Sequence, residues 1–316
     1  MERTVKQTTS SILMIEPVSF DFNEQTAVNN YFQQQDNAND SGVQSRALAE
    51  FKSMVEKLHT NGLDIIVVQD TTEPRTPDSI FPNNWISFHQ DGRVVLYPMY
   101  ANNRRAERRT EVLQLLSDKG FRISTTVDYT DYEKQNRFLE GTGSMVFDHI
   151  NKIAFAALSE RTDKALFIQF CHDFNFEPIY FKAFQTVNNK RLPIYHTNVM
   201  MCVGDKYSVV CLAAIDNIDE RNTVLNSLIM EGKEIIEISE KQMQQFSGNM
   251  LQVENKAGRS ILIISESAFA SLTDLQVNRL NSYNEMLVFD IPTIEKYGGG
   301  SVRCMMAEIF NIYKST

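Results

Sequence analysis

The stretch Phe81-Pro-Asn-Asn-Trp-Ile-Ser-Phe-His89, with the turn Gln90-Asp-Gly92 and the segment Arg93-Val-Val-Leu-Tyr97, contains the unit that decides the fold. A polar loop leads into two apolar segments joined by a tight turn that contains glycine, and this pattern predicts a β-hairpin. An amphipathic helix, Arg46 to His59, and an apolar strand, Leu63 to Val68, precede the loop. The unit is therefore a helix, a strand, a loop and a hairpin.

This unit recurs nearly five times, at a spacing of roughly 53 to 58 residues. The later copies are predicted to contain the helices Arg105 to Leu116, Thr162 to Phe174, Glu220 to Met230 and Leu272 to Ser282, and the hairpins Met145 to Leu158, Val199 to Ala213 and Leu251 to Ile264. The fifth copy lacks its second hairpin strand. The N-terminal strand Ser11 to Pro17 could supply that strand and close a ring, because unpaired sheet edges are a liability. No linker interrupts the repeat, so residues 1–316 are predicted to form a single α/β domain.

The five equivalent junctions between loop and hairpin hold residues that can react or form hydrogen bonds with a ligand. They are Asn84, Glu140, His196, Asn249 and Cys304. If five similar units pack around an axis, the same point of each unit faces that axis. The sequence therefore predicts that a nucleophile, a base and an acid converge there.

Cys304 lies in Tyr297-Gly-Gly-Gly-Ser-Val-Arg-Cys304, where a flexible glycine loop enters a predicted strand, Ser301 to Ile309. The charge of Arg303 beside the thiol favours the nucleophilic thiolate. His196 can transfer a proton near neutral pH, and Glu140 can orient its imidazole. Together they predict covalent catalysis at an electrophilic carbon attached to nitrogen. Each residue also has a structural interpretation, as a core cysteine, a structural histidine and a turn-capping glutamate.

Composition excludes several classes of function. The formal net charge of −9 argues against a nucleic-acid or membrane partner, because both require a concentrated positive field. No apolar run approaches the ~18 residues of a membrane span, and the N-terminus lacks the apolar core of a signal peptide. Four cysteines without C-x-x-C spacing predict a reducing compartment, by default the cytoplasm.

Several further expectations concern the site and the assembly. No set of His, Cys and carboxylate residues has the spacing of metal ligands, so neither a metal nor another cofactor is expected. The polar segment Val18 to Ser41 is long for a loop in a compact domain, which makes it the candidate lid. The sequence leaves self-association into a homo-oligomer open.

Five motifs resemble the guanidino-group-modifying enzymes, or penteins, which include arginine deiminase, dimethylarginine dimethylaminohydrolase, agmatine deiminase and the amidinotransferases. They are Phe81-Pro-Asn-Asn84, Arg104-Arg-Ala-Glu107, Leu139-Glu-Gly-Thr-Gly143, His196-Thr-Asn198 and Gly299-Gly-Ser-Val-Arg-Cys-Met305. Each motif is short, and their order and spacing make the resemblance specific. The likeness is greatest to the amidinotransferase-like proteins that include citrulline ureidases.

The resemblance implies a five-bladed α/β propeller with a pseudo-fivefold repeat. It implies that Cys304 is the nucleophile, His196 the general acid and base, and Glu140 the carboxylate that holds the substrate. It also suggests that Arg104 or Arg105 binds the α-carboxylate of the substrate, for which the bidentate geometry of arginine is suited. The other substrate-binding positions of the motifs are Phe81, Asn83, Asn84, Asn198 and Gly300.

Two positions depart from the pattern of family members that act on a guanidinium cation. These members typically have Asp at the end of the first motif and two residues after the catalytic His, whereas this chain has Asn84 and Asn198. A carboxylate pair stabilises a buried cation, whereas amides suit a neutral ureido group. The leading hypothesis is therefore hydrolysis of the ureido group of citrulline through a carbamoyl-cysteine. The alternatives are deimination or amidino transfer on a guanidino compound, and a non-catalytic propeller that binds other molecules.

Overall fold

The computed structural model describes residues 5–35 and 41–310, and the strands in these ranges form five three-stranded sheets and one separate hairpin. The five sheets are β17(Ala307–Glu308)-β1(Ser11–Glu16)-β2(Asp64–Gln69), β3(Ile86–Phe88)-β4(Arg93–Leu96)-β5(Thr125–Asp128), β6(Val146–Asp148)-β7(Ile153–Ala157)-β8(Glu177–Phe181), β11(Met201–Val203)-β12(Tyr207–Val210)-β13(Glu234–Glu237) and β14(Leu251–Glu254)-β15(Ser260–Ser265)-β16(Glu285–Phe289). The separate hairpin is β9(Phe184–Val187)-β10(Lys190–Pro193).

All five sheets have the same pairing. The first and middle strands are antiparallel, and the middle and third strands are parallel. A parallel pair needs a crossover, and in every sheet one or two helices connect the middle strand to the third. The helices are α1 (Glu24–Ala27), α2 (Val43–Thr60), α3 (Thr110–Asp118), α4 (Gly141–Ser144), α5 (Lys164–Phe174), α6 (Ile218–Met230), α7 (Glu240–Met243), α8 (Glu266–Ser271) and α9 (Asp274–Asn281).

Helix α2 shows how the sequence produces these crossovers. Its apolar residues Ala47, Phe51, Met54 and Leu58 are spaced by three or four residues and are buried on one face. The helix exceeds the predicted range, Arg46 to His59, by three residues at its start and one at its end. It packs against β2, which it precedes in the chain.

The two ends of the chain meet in one sheet. Strand β1 pairs antiparallel with β17, with Ile12 opposite Glu308 and Leu13 opposite Ala307, and it pairs parallel with β2 over its whole length. This pairing confirms the prediction that the N-terminal strand completes the fifth unit. Because Ile12, Leu13 and Met14 are fully buried, the first strand is a core element of the fold.

Three predictions of local structure were wrong. The helix predicted to begin at Arg105 begins at Thr110, because Asn102–Glu107 forms a 3-10 turn whose Arg104 side chain is turned inward. The predicted strand from Ser301 is limited to Ala307–Glu308, because a turn at residues 301–304 is closed by a hydrogen bond from Cys304 N to Ser301 O. The hairpin β9–β10 lies before the predicted hairpin Val199 to Ala213, at the point where the repeated unit predicts only a loop.

The junction loops of neighbouring sheets contact each other. Helix α4, which begins directly after Glu140, contacts the 3-10 turns Pro82–Asn84 and Thr197–Val199. The first strands of neighbouring sheets also contact each other, β17 with β3, and β11 with both β6 and β14. These contacts bring together residues that are separated by whole repeats in sequence. In the described part of the chain, no helix has the length and hydropathy needed to cross a membrane.

Candidate active site

Cys304 lies at the end of a tight turn and is buried from solvent. Two side-chain amides from neighbouring junctions face its sulfur. Asn249 Nδ2 lies 3.3 Å from Cys304 Sγ, and Asn198 Nδ2 lies 3.5 Å from it. Donors that surround a sulfur stabilise its thiolate form, so the site is suited to a nucleophilic cysteine.

The ionisation of this thiol differs from the expectation based on Arg303. Burial raises the pKa of the Cys304 thiol above its usual value, although hydrogen bonds from Ser301, Asn249 and Asn198 and the charge of Arg303 oppose the rise. The guanidinium of Arg303 is engaged elsewhere, since it donates to Glu308 at 2.8 Å and to the Met306 carbonyl at 2.9 Å. The resting thiol is therefore protonated near neutral pH.

His196 and Glu140 form a buried pair. His196 Nε2 lies 2.8 Å from Glu140 Oε2, and the other oxygen of Glu140 accepts from the backbone N of Tyr100 at 2.9 Å. Burial by itself would raise the pKa of Glu140, but Arg161 and His196 lower it to about 2. Burial lowers the pKa of His196 to about 4, although Glu140 opposes this shift. At neutral pH the pair is a carboxylate and a neutral imidazole.

The hydrogen bond also fixes which nitrogen of the imidazole is free. A carboxylate only accepts, so His196 Nε2 carries the proton and His196 Nδ1 is left as an acceptor. Nδ1 faces Gly143, where an added Cβ would lie 2.6 Å from it and would also overlap Asn84 Nδ2. Glycine at this position therefore lets the His196 imidazole and the Asn84 amide approach the same space.

Three asparagines of the junction loops carry polar side-chain atoms that have no partner among the described residues. These atoms are Asn84 Nδ2, Asn198 Oδ1 and both amide atoms of Asn83, and all are buried. Buried polar atoms are almost always hydrogen-bonded, and each exception needs an explanation. A polar ligand that donates to Asn198 Oδ1 and accepts from Asn84 Nδ2 would satisfy two of these four atoms.

The two arginines that were expected to bind the substrate carboxylate have other partners. Arg104 is buried, and its guanidinium donates twice to Glu107 at 2.9 Å and once to Asn84 Oδ1 at 2.7 Å. Arg105 is partly exposed, donates to the Met99 carbonyl at 3.1 Å and lies 3.4 Å from Glu133. Arg104 thus acts on the site by orienting the amide of Asn84.

Arg161 is a buried residue at the site that the sequence reasoning missed. Its Nη1 lies 3.5 Å from Glu140 Oε2, and its other nitrogens donate to Asn29 Oδ1 and to the Thr26 carbonyl. The sequence contains one indication of this role. Arg161 lies two residues before Asp163, the N-cap of α5, and a cation near a helix N-terminus is unfavourable unless it has another function. Asp78, which accepts from Asn23 and Thr26, had no comparable signal.

Phe81 and Gly300 support the turn that carries Cys304. The ring of Phe81 packs against the glycine loop, so that a Cβ at Gly300 would lie 3.1 Å from the ring and 3.3 Å from Cys304 Cβ. Gly299 adopts a left-handed conformation with φ +61°, which side chains other than glycine rarely adopt. These contacts fix the turn that carries Cys304.

Part of the candidate lid covers this centre. Residues 36–40 of the segment Val18 to Ser41 lie outside the described residues, but residues 18–35 pack onto the glycine loop. Gln33 Nε2 donates to the Tyr297 carbonyl at 2.9 Å, and Asn30 Nδ2 donates to the Gly299 carbonyl at 3.3 Å. Within residues 5–35 and 41–310, no cluster of His, Cys, Asp and Glu could hold a metal ion.

Solved structures show the same fold. The N-terminal domain of ArgZ, an arginine dihydrolase from the ornithine-ammonia cycle in cyanobacteria, bound to substrate, matches with a TM-score of 0.72 and 16% identity, over 95% of this chain and 97% of that domain. The complete ArgZ chain is longer, and the match covers 96% of this chain but 41% of ArgZ. An adduct of dimethylarginine dimethylaminohydrolase with S-methyl-L-thiocitrulline matches with a TM-score of 0.62 and 14% identity, over 96% of this chain and 100% of that chain.

The sequence supplies the assignment to a family. No curated protein matches this chain in sequence. The profile of the family "N,N dimethylarginine dimethylhydrolase, eukaryotic" matches residues 16–311, which is nearly the whole chain. The chain belongs to this dimethylarginine dimethylhydrolase family, within the superfamily of guanidino-group-modifying enzymes, the penteins.

Proposed function

We propose that this protein hydrolyses the ureido group of citrulline, or of a related ureido amino acid, through a carbamoyl intermediate on Cys304. The coarser class, a cysteine-dependent amidino hydrolase, follows from the superfamily. The preference for a ureido group rests on one observation, the orientation of the Asn84 amide.

Asn84 is held in one orientation by Arg104. A guanidinium only donates hydrogen bonds, so the contact at 2.7 Å assigns the oxygen of the amide to Arg104 and turns Asn84 Nδ2 toward the site. A ureido carbonyl oxygen would accept from this nitrogen, whereas a guanidinium has only N–H donors to offer. The unpartnered Asn198 Oδ1 can accept from a ureido N–H. The two amides therefore complement a ureido group.

The proposed reaction has two halves. His196 Nδ1 takes the proton of the Cys304 thiol, and the thiolate attacks the ureido carbon, while Asn84 Nδ2 donates to the developing oxyanion. The bond between that carbon and the δ-nitrogen breaks, and the proton returns from His196 to the leaving amine, which gives ornithine. Water activated by His196 then attacks the carbamoyl-cysteine. This step regenerates the thiol and releases carbamate, which decomposes to carbon dioxide and ammonia.

Arg161 is the best candidate for the α-carboxylate of the substrate. Unlike Arg104, it makes its close hydrogen bonds to neutral groups, the Asn29 side chain and the Thr26 carbonyl, and Glu140 is more distant at 3.5 Å. Both neutral groups belong to the segment at residues 18–35. A substrate carboxylate could replace them when this segment moves, and bidentate pairing would favour the exchange.

The segment at residues 18–35 has to move before a substrate can reach the site, because the site is closed. Cys304, His196 and Glu140 are each at most 3% exposed, so substrate needs a path to them. Residues 18–35 contact the glycine loop through side-chain amides and also bury Phe20 and Phe32 in the apolar core, so opening has to separate both kinds of contact. We therefore assign this segment as the lid.

The contacts between the sheets indicate how the five sheets are arranged. We infer that the five three-stranded sheets are the blades of a ring, a propeller that β1 closes, because their first strands contact one another and the chain ends pair. The four free cysteines suit a reducing compartment such as the cytoplasm. The substrate is a small molecule, since the site is buried and compact.

A guanidino substrate such as arginine is the second candidate. The buried charged groups around the site include two cations, Arg104 and Arg161, and three carboxylates, Glu140, Glu107 and Asp78. Glu140 is ionised at neutral pH, whereas burial raises the pKa of Glu107 to about 8 and also raises the pKa of Asp78. When all three carboxylates are ionised they exceed these cations by one charge, which a guanidinium would neutralise. ArgZ, described as an arginine dihydrolase, has the same fold.

Product analysis separates the candidates. The purified protein is incubated with citrulline, arginine, agmatine and N-carbamoyl amino acids, with Cys304→Ala as the control, and ornithine, citrulline and ammonia are quantified. Ornithine from citrulline supports the proposal, whereas citrulline or ornithine from arginine supports the alternative. No turnover of any of these compounds, together with an unreactive Cys304, would favour a non-catalytic scaffold.

A further inference from the structure

Glu295 is a buried carboxylate that the proposed reaction does not use. It lies in the π-helical turn Ile294–Gly298, directly before the glycine loop. One of its oxygens accepts from Ser301 Oγ at 2.5 Å, and the other accepts from Ser267 Oγ at 2.6 Å. The carboxylate therefore links helix α8, which contains Ser267, to the turn that carries the nucleophile.

Ser301 is close enough to the nucleophile to affect it directly. Its carbonyl accepts from Cys304 N at 2.9 Å and closes the turn. The backbone of Ser301 also hydrogen-bonds the Cys304 thiol, and this contact lowers the thiol pKa. A small displacement of Ser301 would therefore change the environment of the sulfur.

Three consecutive glycines precede Ser301, and glycine gives the backbone more conformational freedom than any other residue. Phe81, Gln33 and Asn30 contact these glycines and Tyr297, whereas the hydroxyl of Ser301 itself is held by Glu295. Glu295, in contrast, is anchored outside the loop. Glu50 of helix α2 accepts from the backbone N of Thr293 and of Ile294, both at 3.0 Å, and so fixes the start of the π-helical turn.

We propose that Glu295 is a positioning residue for Cys304. Through its hydrogen bond with Ser301, Glu295 holds the turn so that the amides of Asn198 and Asn249 face the sulfur. This inference rests on the proposed role of Cys304 as the nucleophile. It assigns the positioning of Ser301 to a side chain nine residues upstream of the cysteine. π-Helical turns often occur at functional sites, which agrees with this role.

Two serines provide a matched test, because both donate to the same carboxylate and only Ser301 belongs to the turn. The variants Ser301→Ala, Ser267→Ala and Glu295→Gln are compared with the wild-type protein. The apparent pKa of Cys304 is measured from the pH dependence of its alkylation by iodoacetamide, with the Cys304 peptide quantified by mass spectrometry. The kcat and KM for citrulline and the thermal midpoint are measured in parallel.

Ser301→Ala and Glu295→Gln are expected to raise the apparent thiol pKa by about one unit, which is a tenfold loss of thiolate at a fixed pH. The same variants should lower kcat about tenfold and leave KM nearly unchanged, whereas Ser267→Ala should resemble wild type.

Equal effects of Ser301→Ala and Ser267→Ala would refute the positioning role, and so would an unchanged thiol pKa in Ser301→Ala. Ser301→Ala keeps the test decisive if Glu295→Gln does not fold. Absence of turnover in the wild-type protein would refute the proposed function alone, because the comparison of thiol pKa values does not require a substrate.

Discussion

Replacing Asn84 with Asp tests the central argument about substrate choice. The substitution keeps an oxygen for Arg104, which donates to Asn84 Oδ1 at 2.7 Å, and exchanges the unpartnered Nδ2 donor for a second acceptor with a negative charge. A ureido oxygen then meets an acceptor instead of a donor. A guanidinium gains a counter-charge. We expect the preference of the enzyme to move from citrulline toward arginine.

The magnitude follows from the position of the donor. Asn84 Nδ2 is buried and has no competing partner among the described residues, so its full strength is available to the developing oxyanion. Removal of one such donor typically costs about 10²- to 10³-fold in rate, or about 2.7–4 kcal/mol. The kcat/KM for citrulline should fall by this factor. The kcat/KM for arginine should rise at least about tenfold, which corresponds to about 1.4 kcal/mol from the added charge pair.

The assay quantifies ornithine and citrulline by chromatography at several substrate concentrations. Asn84→Ala is the matched control, because it removes the donor without adding a charge. It should lose citrulline activity to a similar extent without any gain on arginine. The reasoning is refuted if Asn84→Asp keeps the wild-type kcat/KM for citrulline within about threefold while its thermal midpoint is unchanged.

Three further outcomes are expected. Gly143→Ala should lower kcat at least about 100-fold, because the added Cβ would lie 2.6 Å from His196 Nδ1 and displace the imidazole. The circular dichroism spectrum should be unchanged, and near-normal turnover would contradict the proposed position of His196. Lys233→Met should lower the urea-unfolding free energy by about 3–5 kcal/mol, because Lys233 is buried 3.0 Å from Asp148, while the exposed Lys206→Met should change it by less than about 1 kcal/mol. His196 has a pKa of 6.5 in the unfolded chain, whereas burial lowers it to about 4 in the folded protein. The unfolded chain therefore binds a proton first as the pH falls, and about 3 kcal/mol of stability that is present above pH 6.5 is lost between pH 6.5 and pH 4. His196→Gln should flatten this dependence in urea titrations at pH 7 and 4.5, and an unchanged slope would show that the imidazole is not shielded.

The sequence by itself determined the repeat and the positions of the junction residues. Apolar periodicity, glycine turns and helix stops are local signals, and they predicted the crossover helices, the hairpins and the pairing of β1 with the end of the chain. They also placed Glu140, His196 and Cys304 at equivalent points. The local patterns did not indicate the hairpin β9–β10, where the repeated unit predicts only a loop.

Only the tertiary structure decided which partners and charges these residues have. The sequence suggested Arg104 or Arg105 for the carboxylate, but Arg104 is paired with Glu107, and the guanidinium near Glu140 is that of Arg161. It also suggested a thiolate beside Arg303, whereas burial raises the thiol pKa of Cys304. Hydrogen-bond partners and dehydration depend on groups that are distant in the chain, such as Asn29 and Arg161, and a local pattern contains no information about them.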